Sequence, residues 1–286
     1  MGIALGLAAA LSWGLADYFA AMSSRRTGAL RVVLGFHLLA TAILAVMLFA
    51  SGGGLSGLTG GDLAWLAFVG VLGWLSYLAF YRALAIGPIS IVSPIVSAYA
   101  AVTVICAVVI SGERLSAGEA LAIAIALLGV LLASSDLTQI RAIERVAALG
   151  IVLALATAVL IGAFVYGVSY FSDEYGWLVP IFVARGFSTL FILSTALLGR
   201  VWRFPHRSPG LLAMIGFIAA VDTIGYVAFN FGVRHAETSI VATAAAPYSV
   251  VPIVVGVALM HERPTPTQWT GVALVIAGLV LLGLVA

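Results

Sequence analysis

The chain has 286 residues, of which 63% are hydrophobic and only 8% charged, too few polar residues to cover a soluble surface. Its net charge of +2 arises from 13 arginines, with no lysine at all, against 11 acidic residues. The missing lysine excludes a Walker-type ATP motor within the chain, and the scatter of arginines over short connections excludes a nucleic-acid face. What remains is an integral membrane protein in which any movement of solute is driven by a gradient or a partner.

Long apolar stretches of about 20 residues, the length that crosses roughly 30 Å of hydrocarbon as a helix, recur ten times. The predicted fold is all-α, because a β-barrel needs short alternating segments. The first span covers 2–22 and carries Asp17; no basic residue precedes Arg25, so it lacks the basic leader of a secretory signal and is expected to be retained. The second, 30–50, contains His37. The third, 63–84, has Trp74, Tyr77 and Tyr81 at steps of three and four, on one face. The fourth, 89–110, contains Pro94, Tyr99 and Cys106, the lone cysteine, which reads as a small buried hydrophobe.

The fifth and sixth spans cover 116–134 and 146–170. The seventh, 176–198, holds Arg185. The eighth, 210–233, places Asp222, Tyr226 and Asn230 at steps of four on one face. The ninth, 238–259, carries Pro247, Tyr248 and Pro252, and the tenth is 267–285.

Ten arginines fall at odd-numbered connections (Arg25, Arg26, Arg31, Arg82, Arg141, Arg145, Arg200, Arg203, Arg207 and Arg263), against Arg114 and Arg234 at even-numbered ones. The positive-inside rule then predicts odd connections in the cytoplasm and both termini outside.

Residues 78–132 slide over 227–281 without a gap. Phe80 meets Phe229, Ser90-Ile91-Val92 meets Ser239-Ile240-Val241, Tyr99 meets Tyr248, Glu113-Arg114 meets Glu262-Arg263, and Gly129 meets Gly278. At a shift of 148, Gly14 falls on Gly162, Tyr18 on Tyr166 and Thr41 on Thr189. Two copies of a five-helix unit, 1–140 and 141–286, must run antiparallel because five crossings end each copy on the side opposite its start. Such an inverted repeat places a site near the membrane midplane between the halves.

Ten spans in two halves, "LSWGLADYF" in the first span, and Glu-Arg closing spans four and nine ahead of a glycine-bearing span together resemble the drug/metabolite transporter superfamily in its EamA-type ten-helix branch. The resemblance covers almost the whole chain. It implies a central cavity surrounded by spans one to four and six to nine, with five and ten outside. It also implies a small-metabolite substrate, as in exporters of amino acids and carriers of nucleotide sugars and phosphates.

Ionisable groups inside spans are costly and mark functional sites. Arg185 and Asp222 reach similar midplane depth by helical rise. They either pair with each other or face the cavity, where they would hold the carboxylate and ammonium of a zwitterion. Asp17 and His37 lie shallower and suit a gate, a proton relay, or a local hydrogen bond between helices. Trp74, Tyr77, Tyr81, Tyr99, Tyr226, Asn230 and Tyr248 lie deep in their spans and predict a cavity with aromatic walls. Pro94, Pro247 and Pro252 supply hinges or packing kinks. His206, His235 and His261 show no metal-ligand spacing, and neither metal nor cofactor is expected.

The sequence therefore predicts a secondary transporter exporting a small organic metabolite, amino acids first, across the cytoplasmic membrane. It would work in the bilayer as a monomer or weak homodimer, with a proton as coupling ion. Efflux of lipophilic cations is the alternative; a membrane-embedded enzyme is remote, because no nucleophile elbow or H-E-x-x-H motif is present. Finally, Ser116 with Glu119 and Thr265 with Gln268 form capping boxes, with Pro266 at the first helical position. Glu113 and Glu262 just before them read as a hinge or a gate.

Overall fold

A computed structural model describes residues 1–86, 92, 95–134, 145–200, 209–251 and 265–285. Apolar helices account for nearly all of it: α1 (Gly2–Thr27), α2 (Ala29–Ala50), α3 (Gly60–Ile86), α4 (Tyr99–Ile110), α5 (Ala117–Ser134), α6 (Arg145–Ser169), α7 (Val179–Leu198), α8 (Pro209–Val233), α9 (Thr238–Ala245) and α10 (Pro266–Val285). A single helical turn, Ser172–Tyr175, lies between α6 and α7. Seven of the ten are long and apolar enough by themselves to cross a membrane. The chain is an all-α integral membrane protein, and among the described residues each predicted span overlaps one of these helices. Pro94, Pro252, His206, His261, Glu262 and the boundary at 140/141 lie outside the described residues.

The helix ends follow from local chemistry. In the loop before α5 the Ser116 N–H donates to Glu119 Oε2 at 2.7 Å, and the Glu119 N–H donates back to Ser116 Oγ at 3.2 Å. Thr265 and Gln268 repeat the exchange at α10, at 2.9 and 3.3 Å. Both predicted capping boxes are present. A third, unforeseen, starts α3: the Thr59 N–H donates to Asp62 Oδ2 at 2.8 Å and the Asp62 N–H to Thr59 Oγ1 at 3.3 Å. Its signal was legible in "TGGD", which carries the same spacing with an aspartate.

Packing reveals the inverted repeat directly. α1 packs on α8 and α9, and α6 packs on α3 and α4; each pair becomes the other when the halves are exchanged. α2 against α7, α4 against α9 and α5 against α10 are contacts between counterparts. At atomic level, a Cβ on Gly14 would lie 2.5 Å from Tyr248 O and 2.4 Å from Val251 Cβ, while one on Gly162 would lie 2.5 Å from Tyr99 O and 2.6 Å from Val102 Cβ. The partners differ by the same 149 positions that relate the repeats. Thr41 Oγ1 and Thr189 Oγ1, themselves counterparts, share a hydrogen bond of 2.8 Å. The architecture is two antiparallel five-helix repeats closed on each other.

α5 and α10 stand outside this ring and cross on glycine. A Cβ on Gly271 would sit 2.0 Å from Ala133 N, and one on Gly278 2.5 Å from Ala126 N, so the two backbones touch where no side chain fits. Gly271→Ala is expected to destabilise the protein by about 1–3 kcal/mol through overpacking. Gly216→Ala, where nothing lies within 4 Å, is expected to be neutral or stabilising by up to about 1 kcal/mol. Thermal unfolding of the two purified variants checks the contrast.

Candidate functional site: a cavity between the repeats

Six helical segments frame a cavity enclosing about 510 Å³ including its mouth. α1 contributes Trp13 and Asp17, one turn apart on a single face; α3 contributes Tyr77 and Phe80. Val96 and Tyr99 come from the fourth span, Ile161 and Val165 from α6, and Asp222 and Tyr226 from α8. Tyr248 closes the ring from the 3-10 stretch Ala246–Val250 that continues α9. Pro247 lies in that stretch: proline cannot donate the α-helical bond, so the helix tightens there and turns Tyr248 toward its counterpart. The Tyr99 and Tyr248 rings meet edge to face at 5.5 Å.

The aromatic walls are mutually braced. Trp13 packs edge-on against Tyr226, with ring centroids 5.0 Å apart, and Tyr226 meets Phe164 at 6.0 Å. Gly225 makes room for this, since a Cβ there would lie 2.5 Å from Trp13 Nε1. Trp13 Nε1 and the Tyr99 hydroxyl are buried with no hydrogen-bond partner among the described residues. They are donors left free on the walls of an apolar space.

The charges divide into a buried ion pair and a remainder. Arg185 and Asp222 form an ion pair, with Arg185 only 1% exposed and its guanidinium 4.8 Å above the Tyr226 ring. Arg185 is therefore committed to protein partners, and it is absent from the cavity wall. Asp222 borders the space with its charge already offset. Asp17 is half-buried, lines the cavity and forms no ion pair among the described residues. The cavity thus presents one uncompensated carboxylate facing aromatic rings, an arrangement suited to an organic cation.

The sequence expectation is met unevenly here. Tyr77, Tyr99, Asp222, Tyr226, Tyr248 and Asp17 converge on the cavity, whereas Arg185 sits behind the wall. His37 and Asp17 are not joined: both ring nitrogens of His37 lack hydrogen-bond partners, and its ring packs edge-on against Tyr77 at 4.5 Å. Trp74 faces away, donating Nε1–H to Thr195 Oγ1 at 2.9 Å. Tyr81 packs against the apolar cluster of α1, α2, α7 and α8 and does not line the cavity. Asn230 uses its amide on Tyr226 O, one turn back, at 2.9 Å. Step-of-four spacing alone does not select the wall: on α3 Tyr77 and Phe80 line the cavity while Trp74 and Tyr81 do not, and on α8 Asp222 and Tyr226 line it while Asn230 does not. Trp13 and Phe80 were missed. Trp13 lies one helical turn from Asp17, and that spacing was the available signal.

Glu113 was read from the sequence as closing span four, where a carboxylate opposes the helix dipole. The structure gives it a different partner: its two carboxylate oxygens accept from the Thr238 and Ser239 N–H groups at 2.8 and 3.1 Å. It faces the positive end of α9, the favourable sign.

Comparison with known proteins adds a family and a fold. The model of the EamA-like transporter family matches residues 1–135 and again 148–284. No curated protein matches the chain. A solved crystal structure superposes with a TM-score of 0.79 over 100% of this chain and 98% of that one, at 16% identity, a likeness of fold.

Proposed function

The chain belongs to the EamA-like transporter family, and on that premise we propose that it carries a small organic solute bearing an ammonium group on an apolar, ring-sized body, with amino acids as the first such class. One observation carries the reading: Asp17, without an ion-pair partner among the described residues, faces a cavity walled by Trp13, Tyr77, Phe80, Tyr99, Tyr226 and Tyr248. A carboxylate attracts the ammonium and ring faces add cation–π attraction. The free Trp13 Nε1–H and Tyr99 hydroxyl are neutral donors for the carboxylate of an amino acid. Export across the cytoplasmic membrane, odd connections inside and both termini outside, with a proton as coupling ion, completes the reading.

Efflux of lipophilic cations is the second reading, favoured by the engagement of Arg185 with Asp222, which leaves a carboxylate end no cationic partner. Three ligands of matched shape separate the two: an aromatic amino acid, its decarboxylated amine and its deaminated acid. A ligand bound to the native state raises stability by about 2.7 kcal/mol at a hundred times its Kd. The amine and the amino acid are expected to raise the melting temperature of the purified protein, the acid not. Stabilisation by the amine alone transfers the assignment to cation efflux, and stabilisation by the acid alone removes Asp17 as the recognition group.

A further inference from the structure

Among the described residues, four hydrogen-bonded ties join the two repeats at the end of the molecule where the even-numbered connections lie. The Tyr175 hydroxyl donates to Asp62 Oδ2 at 2.7 Å, Trp65 Nε1–H donates to Gly167 O at 3.3 Å, and Ser111 Oγ and the Tyr166 hydroxyl lie 2.8 Å apart. The fourth is Glu113, whose two carboxylate oxygens hold the first two N–H groups of α9. This one differs in place and in kind. Among the described residues it is the hydrogen-bonded tie between the fourth and ninth segments, whose Tyr99 and Tyr248 form a wall of the cavity, and it sets a full negative charge on a helix N-terminus. Glu237, at the N-cap position of α9, makes no side-chain capping bond. The cap comes from the opposite repeat.

Between the cavity and Glu113 the fourth and ninth segments carry Thr103, Ala107, Val241 and Thr243, all fully buried. The structure is closed at the even-numbered end. Opening there requires the fourth and ninth segments to part, and the Glu113 bonds span that seam.

We propose that Glu113 is the latch of this closed end: it holds the cavity shut toward the even-numbered connections by capping α9 across the repeat interface, and its release accompanies opening on that side. The inference rests on the carrier reading above.

The test is thiol labelling of the full chain with a membrane-impermeant maleimide, in a Cys106→Ala background. Thr243→Cys reports the closed side and Phe80→Cys the opposite side. Glu113→Gln removes the charge. Thr238→Pro removes one donor at the first helical position, where proline is suited, behind Glu237 in the extended conformation (φ −58°, ψ 147°) that precedes proline readily. In both variants labelling at position 243 is expected to rise about tenfold, the effect of weakening a charge-assisted hydrogen bond, while labelling at position 80 falls. Unchanged rates, or a rise at both positions together, overturn the latch and leave Glu113 a structural cap; so does failure of both variants to fold. Labelling needs no substrate. Absence of solute counterflow in liposomes would therefore sink the carrier reading, whereas unchanged labelling in a chain that does exchange solute would sink the latch alone.

Discussion

Asp17→Asn is expected to weaken binding of an ammonium ligand by about ten- to a hundredfold. The substitution keeps the size and the hydrogen-bonding oxygen but removes the one cavity charge that has no internal partner. A hydrogen bond to a charged group is worth about 1.5–3 kcal/mol, and each 1.4 kcal/mol is tenfold in affinity. Asp17 pays for no contact of its own among the described residues, so the fold should tolerate the change. Titration calorimetry with the amine and the amino acid, beside thermal unfolding of the empty protein, checks both halves. Full affinity in the variant would move recognition to the rings and to Asp222.

Arg185→Gln is expected to act in the opposite sense, on stability first. It leaves the Asp222 carboxylate, 6% exposed, as an uncompensated charge in a buried site, a loss of about 3–5 kcal/mol. It also removes the guanidinium that braces the Tyr226 ring from behind. Arg185→Gln combined with Asp222→Asn removes both charges, and should recover most of the stability. Unfolding of the single and double variants in denaturant measures this coupling. If the double variant is no more stable than the single one, the pair is not what holds α7 and α8 together. Because the guanidinium is sealed behind the wall, the double variant should still bind the amine through Asp17.

Much of the architecture was legible because a membrane imposes few solutions. Span length fixes where helices cross, and a repeat of five crossings can only be inverted. The capping patterns located the starts of α5 and α10. The site was legible as a set of helix faces. The repeat between Tyr99 and Tyr248 marked two wall residues as counterparts, since pseudosymmetry puts counterparts at equal depth.

The remainder depended on rotation and neighbours. Trp74, Tyr81 and Asn230 share sequence spacing with the wall residues, yet Trp74 is bonded to Thr195, Tyr81 packs against the cluster of α1, α2, α7 and α8, and Asn230 is bonded to the α8 backbone. The sequence offered both a buried ion pair and an open binding pair for Arg185 and Asp222, and only packing chose the first.

From sequence alone follow the membrane helices, the two inverted repeats, the capping boxes and the aromatic counterparts, because these rest on periodicity and local hydrogen bonding. Tertiary structure alone decided that Arg185 is spent on Asp222, that Asp17 is left facing the cavity, and that Glu113 caps a helix of the other repeat. Each of those turns on which side chains meet across separate helices, 37 residues apart in the chain for Arg185 and Asp222 and 125 for Glu113 and Thr238, or, for Asp17, on the absence of such a meeting among the described residues, and no local pattern encodes it.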